Sequence, residues 1–238
     1  MSQQVMLMSY LTNSVIYTSI DNSILRRCSF DDLGIDLDIF DRIEILETYL
    51  KHSERTAIMG SSSGFHHADH TNYASILSKE ETLEQLLLSY EALSEDQTNW
   101  VCNLSNASSL LWHAYKSLGV NVNWAGFYVT FDSEKDTLLL GPFQGKVACQ
   151  KIQFGKGVCG TAASTKETQV VRDVNEYPGH IACDGETKSE IVVPIISNDG
   201  NTLAVIDLDC LDYKGFDEVD KEFLERLGKL INKSCIFK

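Results

Sequence analysis

Three cysteines stand in surroundings rich in glycine and alanine: Cys149 and Cys159 within VACQKIQFGKGVCG, residues 147–160, and Cys183 in HIACDGE. An ionised thiol is a strong nucleophile, and a second thiol nearby can take over its oxidation as a disulfide. Cys159 sits where GKGVCGTAAS would open a helix, and the N-terminal end of a helix favours the thiolate. Cys149 is expected on the strand before that helix and Cys183 in a loop where the chain can flex. The glycines around the thiols would let such a bond open and close. Cys102, Cys210 and Cys235 fall on apolar or helical patterns and read as small buried hydrophobes, while Cys28 belongs to the N-terminal segment. Seven cysteines cannot all pair within one chain, no CxxC occurs, and the intervals do not suit a structural zinc site. Oxidation and resolution is therefore the chemistry that the three suggest.

The acidic and aromatic residues extend this picture. In TLAVIDLDC, residues 202–210, strand alternation turns Ala204, Ile206, Leu208 and Cys210 toward a core and sets Asp207 and Asp209 together on the opposite face, roughly 7 Å apart. A solvated strand face would account for the pair. Leu203 and Val205 share that face, however, which argues for partial cover, and covered carboxylates invite a cation. WAGFYVT aligns Trp124, Gly126 and Tyr128, and the missing side chain at Gly126 would leave a notch under two rings, fit for a methyl or thioether group; the alternative is that both rings are plain core. Glu190 opens the apolar run IVVPII, where burial raises its proton affinity and suits it to give up a proton near neutral pH. HHADH, residues 66–70, could hold zinc, but a polar solvated leader explains it as well.

The elements that must position these groups follow from composition and period. At 238 residues with 43% hydrophobic content, the chain can bury one substantial core and carry an appendage. A formal charge of −14 sets it against nucleic acid and anionic membrane surfaces. IVVPII is far too short to cross a bilayer and the N-terminus lacks the features of a signal peptide, so the expected compartment is the cytoplasm, and also the nucleus. Residues 1–58 scatter apolar positions among acids without a capped amphipathic pattern and read as an N-terminal extension of uncertain status; Met59 is a plausible alternative start. From 59 to 238 the signals belong to one domain. SKEE, with Ser78 as cap and Glu81 three residues on, predicts a helix over 78–93, and Leu104, Leu110, Leu111, Tyr115 and Leu118 predict a second that stops at Gly119. Then the period changes to short alternating runs, VNWAGFYVT, TLLLGPF, VACQKIQF, TQVV, EIVVPIIS and TLAVIDLDC, with NDGN at 198–201 as the clearest hairpin. A last helix, opened by Asp217, carries Val219, Phe223, Leu227, Leu230 and Ile231. Helices at both ends of a mostly antiparallel sheet make an α+β layer fold.

The segments NWAGFYV, LGPFQGKVACQ, FGKGVCGTAA, YPGHIACDGETKSEIVVPI and IDLD together resemble the free methionine-(R)-sulfoxide reductases, single GAF domains that reduce the R-sulfoxide of the unbound amino acid. The likeness runs from Ser61 to Lys238. It implies a GAF-like central antiparallel sheet flanked by helices, and a homodimer. It further implies that Cys183 is the attacking thiol and Cys149 its resolving partner; Cys159 matches the third family cysteine, to which attack is the alternative assignment. Trp124 and Tyr128 match the aromatic cage around the substrate methyl, Glu190 the acid that handles the sulfoxide oxygen, and Asp207 with Asp209 the carboxylates that engage the polar end. No metal, flavin or nucleotide cofactor is then required, and a thioredoxin, at about −270 mV, serves as external reductant. Two competing readings are a non-catalytic GAF sensor of small ligands, which would ordinarily sit beside an output domain, and a redox-inert structural module.

Overall fold

Helix starts lie where the capping signals place them. In the computed structural model, which describes residues 4–11, 14–21, 70–73, 77–131, 134–181 and 184–237, with side chains of 4–21 and 134–135 left aside, α1 spans Lys79–Ser94. The Ser78 hydroxyl accepts from the Glu81 N–H and the Glu81 carboxylate from the Ser78 N–H, the reciprocal capping box expected of SKEE. Helix α2 (Trp100–Ser117) starts at the Asn99 cap and runs out before Gly119, whose φ of +72° is the left-handed turn that ends helices. A 17-residue helix, α4 (Glu218–Ser234), opens on a second capping box between Asp217 and Asp220, and α3 (Gly157–Thr165) is short. No described helix is long and apolar enough to cross a membrane.

The chain divides into two compact units, Met1–His66 and His67–Lys238. In the first, β1 (Gln4–Leu11) and β2 (Ser14–Asp21) pair as an antiparallel hairpin, with Gln4 opposite Asp21 and Leu11 opposite Ser14. Sequence reading passed over this hairpin; the β-branched and aromatic run VIYT, residues 15–18, was the available signal.

The second unit is built on a six-stranded antiparallel sheet of β3 (Val122–Phe131), β4 (Glu134–Gly145), β5 (Lys151–Gln153), β6 (Gln169–Val171), β7 (Ser189–Ile196) and β8 (Thr202–Cys210), in spatial order β5-β4-β3-β8-β7-β6. The turn at 197–201 joins β7 to β8, with Gly200 at φ +79°. Alternation divides the sheet between two cores. One face carries Ala125, Phe127, Val129, Ile191, Val193, Ile195, Ala204, Ile206, Leu208 and Cys210 against the apolar sides of α1, α2 and α4. The other carries Trp124, Tyr128, Val192 and Val205 under α3, whose Val158, Cys159, Ala162 and Ala163 complete it. Leu203 departs from the simple alternation and packs against the first core. Asp220, fully buried at the start of α4, accepts from the Tyr115 hydroxyl at 2.9 Å and from the Lys79 ammonium, tying α1 and α2 to α4.

Candidate active site

The antiparallel register brings the predicted groups into rows. Asp209 on β8 is the cross-strand partner of Trp124 on β3 at one side and of Glu190 on β7 at the other, and Asp207 lies likewise between Gly126 and Val192 one step along. Cross-strand neighbours on one face stand about 5 Å apart at Cβ. Helix α3 lies over β7 and β8 and lowers the Cys159 thiol toward the same spot; it donates to Glu190 Oε1 across 4.0 Å. Sulfur and one carboxylate oxygen each of Glu190 and Asp207 all fall within 4.8 Å of one another. Around them opens a cavity of about 440 Å³, measured out to bulk solvent, whose walls include Trp124, Tyr128, Cys159, His180, Glu190, Asp207 and Asp209.

Burial governs the electrostatics. Glu190 and Asp207 are each only 6% exposed. Desolvation lifts the Glu190 carboxyl to about 7; His180, with Nε2 at 3.5 Å from Glu190 Oε2, pulls it down, and Asp209 pushes it up. Burial likewise raises Asp207, with the Glu190 charge adding, and Asp209, with Asp207 and Asp184 adding. Oδ1 of Asp207 is buried and has no hydrogen-bond partner among the described residues. Three carboxyls and a thiol packed this closely cannot all ionise, so the cluster holds protons well into the neutral range and would gain by admitting a cation.

The aromatic wall differs from expectation at Gly126. Trp124 and Tyr128 do share a face, with centroids 5.7 Å apart and planes 22° from parallel. The place of the absent side chain is filled, however: a Cβ on Gly126 would stand 2.3 Å from Phe143 Cβ and 2.8 Å from the Pro142 carbonyl. A register shift between Gly126 and Tyr128 presses β4 against β3 there, and Phe143 stacks on Trp124 at 5.2 Å. The result is a three-ring stack, with the notch closed by backbone.

The thiols also call for corrections. Cys159 opens a helix as expected, yet burial first, and then the charges of Asp207 and Glu190, drive its pKa well up, outweighing the helix terminus. Its neighbour Gly160 serves close packing, since a Cβ there would meet the Gln153 carbonyl at 2.2 Å, so it is no hinge. Cys149 lies in the loop after β4, because β5 pairs only over Lys151–Gln153; it is half-buried against the Trp124–Tyr128 core and does not line the cavity. Cys183 lies outside the described residues, as do His66, His67, Ala68 and Asp69 of HHADH. Cys210 is buried, Cys235 half-buried, and Cys102 exposed, because the buried side of α2 runs through Leu104, Ala107, Leu111 and Ala114 on the opposite flank.

Sequence reading missed His180, three residues before Cys183; a lone histidine within a loop motif points to no partner until β7 brings Glu190 beside it. It also missed Asp184, whose carboxylate accepts from the Glu186 N–H at 3.1 Å and from Asn123 at 3.2 Å and is held below the usual range chiefly by that backbone contact.

Comparison with known proteins places this geometry among relatives. Residues 105–232 match the model of the GAF domain. Free methionine-R-sulfoxide reductase of Saccharomyces cerevisiae is 83% identical over 180 residues, which make up 76% of this chain and 100% of the yeast protein. Among solved structures, a GAF domain superposes with a TM-score of 0.72 at 82% identity, over 74% of this chain and 100% of that one. Free methionine-R-sulfoxide reductase from Neisseria meningitidis, in complex with its substrate, superposes with a TM-score of 0.63 at 39% identity, over 69% of this chain and 95% of that one.

Proposed function

The chain belongs to the free methionine-R-sulfoxide reductases of the GAF family, and on that footing we propose that it reduces the R-sulfoxide of unbound methionine through a thiol relay that starts at Cys183. The observation that carries this reading is the cavity itself: a stacked aromatic wall, Trp124 and Tyr128, faces a buried acid that keeps its proton to about pH 7 and two further buried carboxyls. The rings receive the S-methyl group, Glu190 delivers a proton to the sulfoxide oxygen, and Asp207 with Asp209 take the ammonium group. A methionine sulfoxide within a peptide has no ammonium there and would leave the carboxyls uncompensated.

The Cys183 thiolate attacks the sulfoxide sulfur as Glu190 protonates the oxygen. In net terms the sulfoxide, the thiolate and one proton become methionine and a Cys183 sulfenic acid, two electrons passing from enzyme sulfur to substrate sulfur. Cys149 then condenses with the sulfenic acid, releasing water and forming a disulfide, which an external dithiol of thioredoxin type reopens by supplying two electrons. The raised pKa of Cys159 supports Cys183 over Cys159 as attacker, because a buried thiol beside carboxyls is disfavoured as a thiolate. The partners this reading implies are the free amino acid, thioredoxin and a second copy of the chain; no metal or organic cofactor takes part.

The test is reductant consumption with each epimer of free methionine sulfoxide and a thioredoxin system, alongside single serine variants. Only the R epimer should be consumed. Cys183→Ser should release no methionine even in one turnover, while Cys149→Ser should release one equivalent and then stall. A Cys183→Ser protein that still turns over, or a Met-sulfoxide peptide reduced as fast as the free amino acid, would refute the scheme.

A further inference from the structure

Two loops border the cavity: residues 146–150, which carry Cys149, and residues 184–188, which begin one position after Cys183. We infer that Lys146 straps the two loops together and so sets the rate at which the oxidised thiol meets its partner, a positioning role that rests on the function proposed above. The Lys146 ammonium stands 3.2 Å from Asp184 Oδ2 and also pairs with Glu186 Oε2, both on the far loop. Each end of this strap is itself anchored to β3. On the near side, the Lys146 carbonyl accepts from the Trp124 indole N–H at 3.2 Å. On the far side, the Asn123 amide donates to Asp184 Oδ2 at 3.2 Å and to Thr187 Oγ1 at 3.0 Å, and the Asp184 carboxylate also closes its own turn through the Glu186 N–H.

An isolated exposed ion pair does little, because ordering two long side chains offsets the attraction. Here two carboxylates converge on one ammonium, and the Asp184 carboxylate and the lysine backbone are fixed in advance, so less freedom is lost. Disulfide closure tolerates little misplacement: the Cα atoms must come within about 7 Å with the side chains facing. A strap across the two loops therefore acts on condensation of the Cys183 sulfenic acid with the Cys149 thiol, the step that expels water and forms the S–S bond, and leaves the preceding oxygen transfer alone.

The experiment mixes the reduced full-length chain with one equivalent of free methionine-R-sulfoxide, without reductant, and follows methionine release, sulfenic acid trapped by a cyclic dione, and remaining thiols. Lys146→Met should release methionine at the parent rate while closing the disulfide roughly threefold to tenfold more slowly, the bias that two exposed charge pairs can exert, with trapped sulfenic acid accumulating. Lys146→Arg should restore closure, and the exchange Lys146→Glu with Glu186→Lys should restore part of it. Lys146 is 63% exposed along its side chain, so methionine is accommodated there, and matched thermal unfolding checks this. Closure at the parent rate in Lys146→Met, or equal slowing of both steps, overturns the strap. Failure of Cys149→Ser to accumulate sulfenic acid in the same assay would instead overturn the relay on which it rests.

Discussion

Glutamine in place of Glu190 should make the protein less active and, at neutral pH, more stable. In the folded chain this carboxyl titrates near 7 instead of 4.5, chiefly because burial disfavours its charge. Between those values the folded state holds a proton that the unfolded state has released, so stability falls as pH rises through the window from 4.5 to 7. The interval corresponds to about 3 kcal/mol at roughly 1.4 kcal/mol per pH unit. Below pH 4.5 both states are protonated and the penalty vanishes; above 7 it is complete. Glu190→Gln keeps the size and removes the charge, so its stability should match the parent near pH 4.5 and exceed it by about 3 kcal/mol at pH 8. Asp207 and Asp209 are raised in the same direction and persist in the variant, so the parent–variant difference isolates Glu190, apart from the relief Asp207 feels when its neighbour loses its charge. The assay is urea unfolding of both proteins at pH 4.5, 6, 7 and 8. Activity should move oppositely: kcat/KM of the parent should decline above pH 7 as the acid deprotonates, and the variant should lose about 10²- to 10⁴-fold. A stability gap that stays constant from pH 4.5 to 8 would refute the reasoning.

Two further substitutions probe the frame that holds the site. Gly126→Ala places a methyl 2.3 Å from Phe143 Cβ and 2.7 Å from its Cα, which backbone cannot yield to; it should cost about 1–3 kcal/mol in denaturant unfolding and weaken binding of methionine sulfoxide as Phe143 is driven off Trp124. Asp220→Ala strands the buried Tyr115 hydroxyl and removes the α4 capping contact; it should lower stability by about 2–4 kcal/mol while the turnover of the folded fraction stays at the parent value.

What could be read from the sequence was whatever neighbours along the chain decide. Ser78 with Glu81 needs only one helical turn to make its capping box, and alternation alone puts Asp207 and Asp209 on the face opposite Ile206 and Leu208. The interior position of Glu190 followed from the apolar run it opens, and with it the direction of its pKa. The misreadings have the opposite origin. Cys159 was expected to ionise easily because its helix terminus is local, whereas Asp207 and Glu190, which reverse the direction, arrive from 48 and 31 positions away. Gly126 looked like a gap because the bulge that brings Phe143 onto it belongs to the pairing of β3 with β4. Cys149 looked like a strand residue because VACQKIQF alternates well enough, but only three of those residues find a partner strand. Charge and close packing are settled by what crosses the sheet, and Trp124, Cys159, Glu190, Asp207 and Asp209 stand where β3, β7, β8 and α3 cross. The same placement explains why the cluster is costly to the fold: carboxyls that would sit at ease on an open strand are held under a helix with their pKa values raised by burial, and on the proposed function a cationic head group bound among them would relieve that cost. On that proposal, selectivity for an unbound amino acid and a stability that falls as pH rises from 4.5 to 7 are two expected consequences of one buried group of acids.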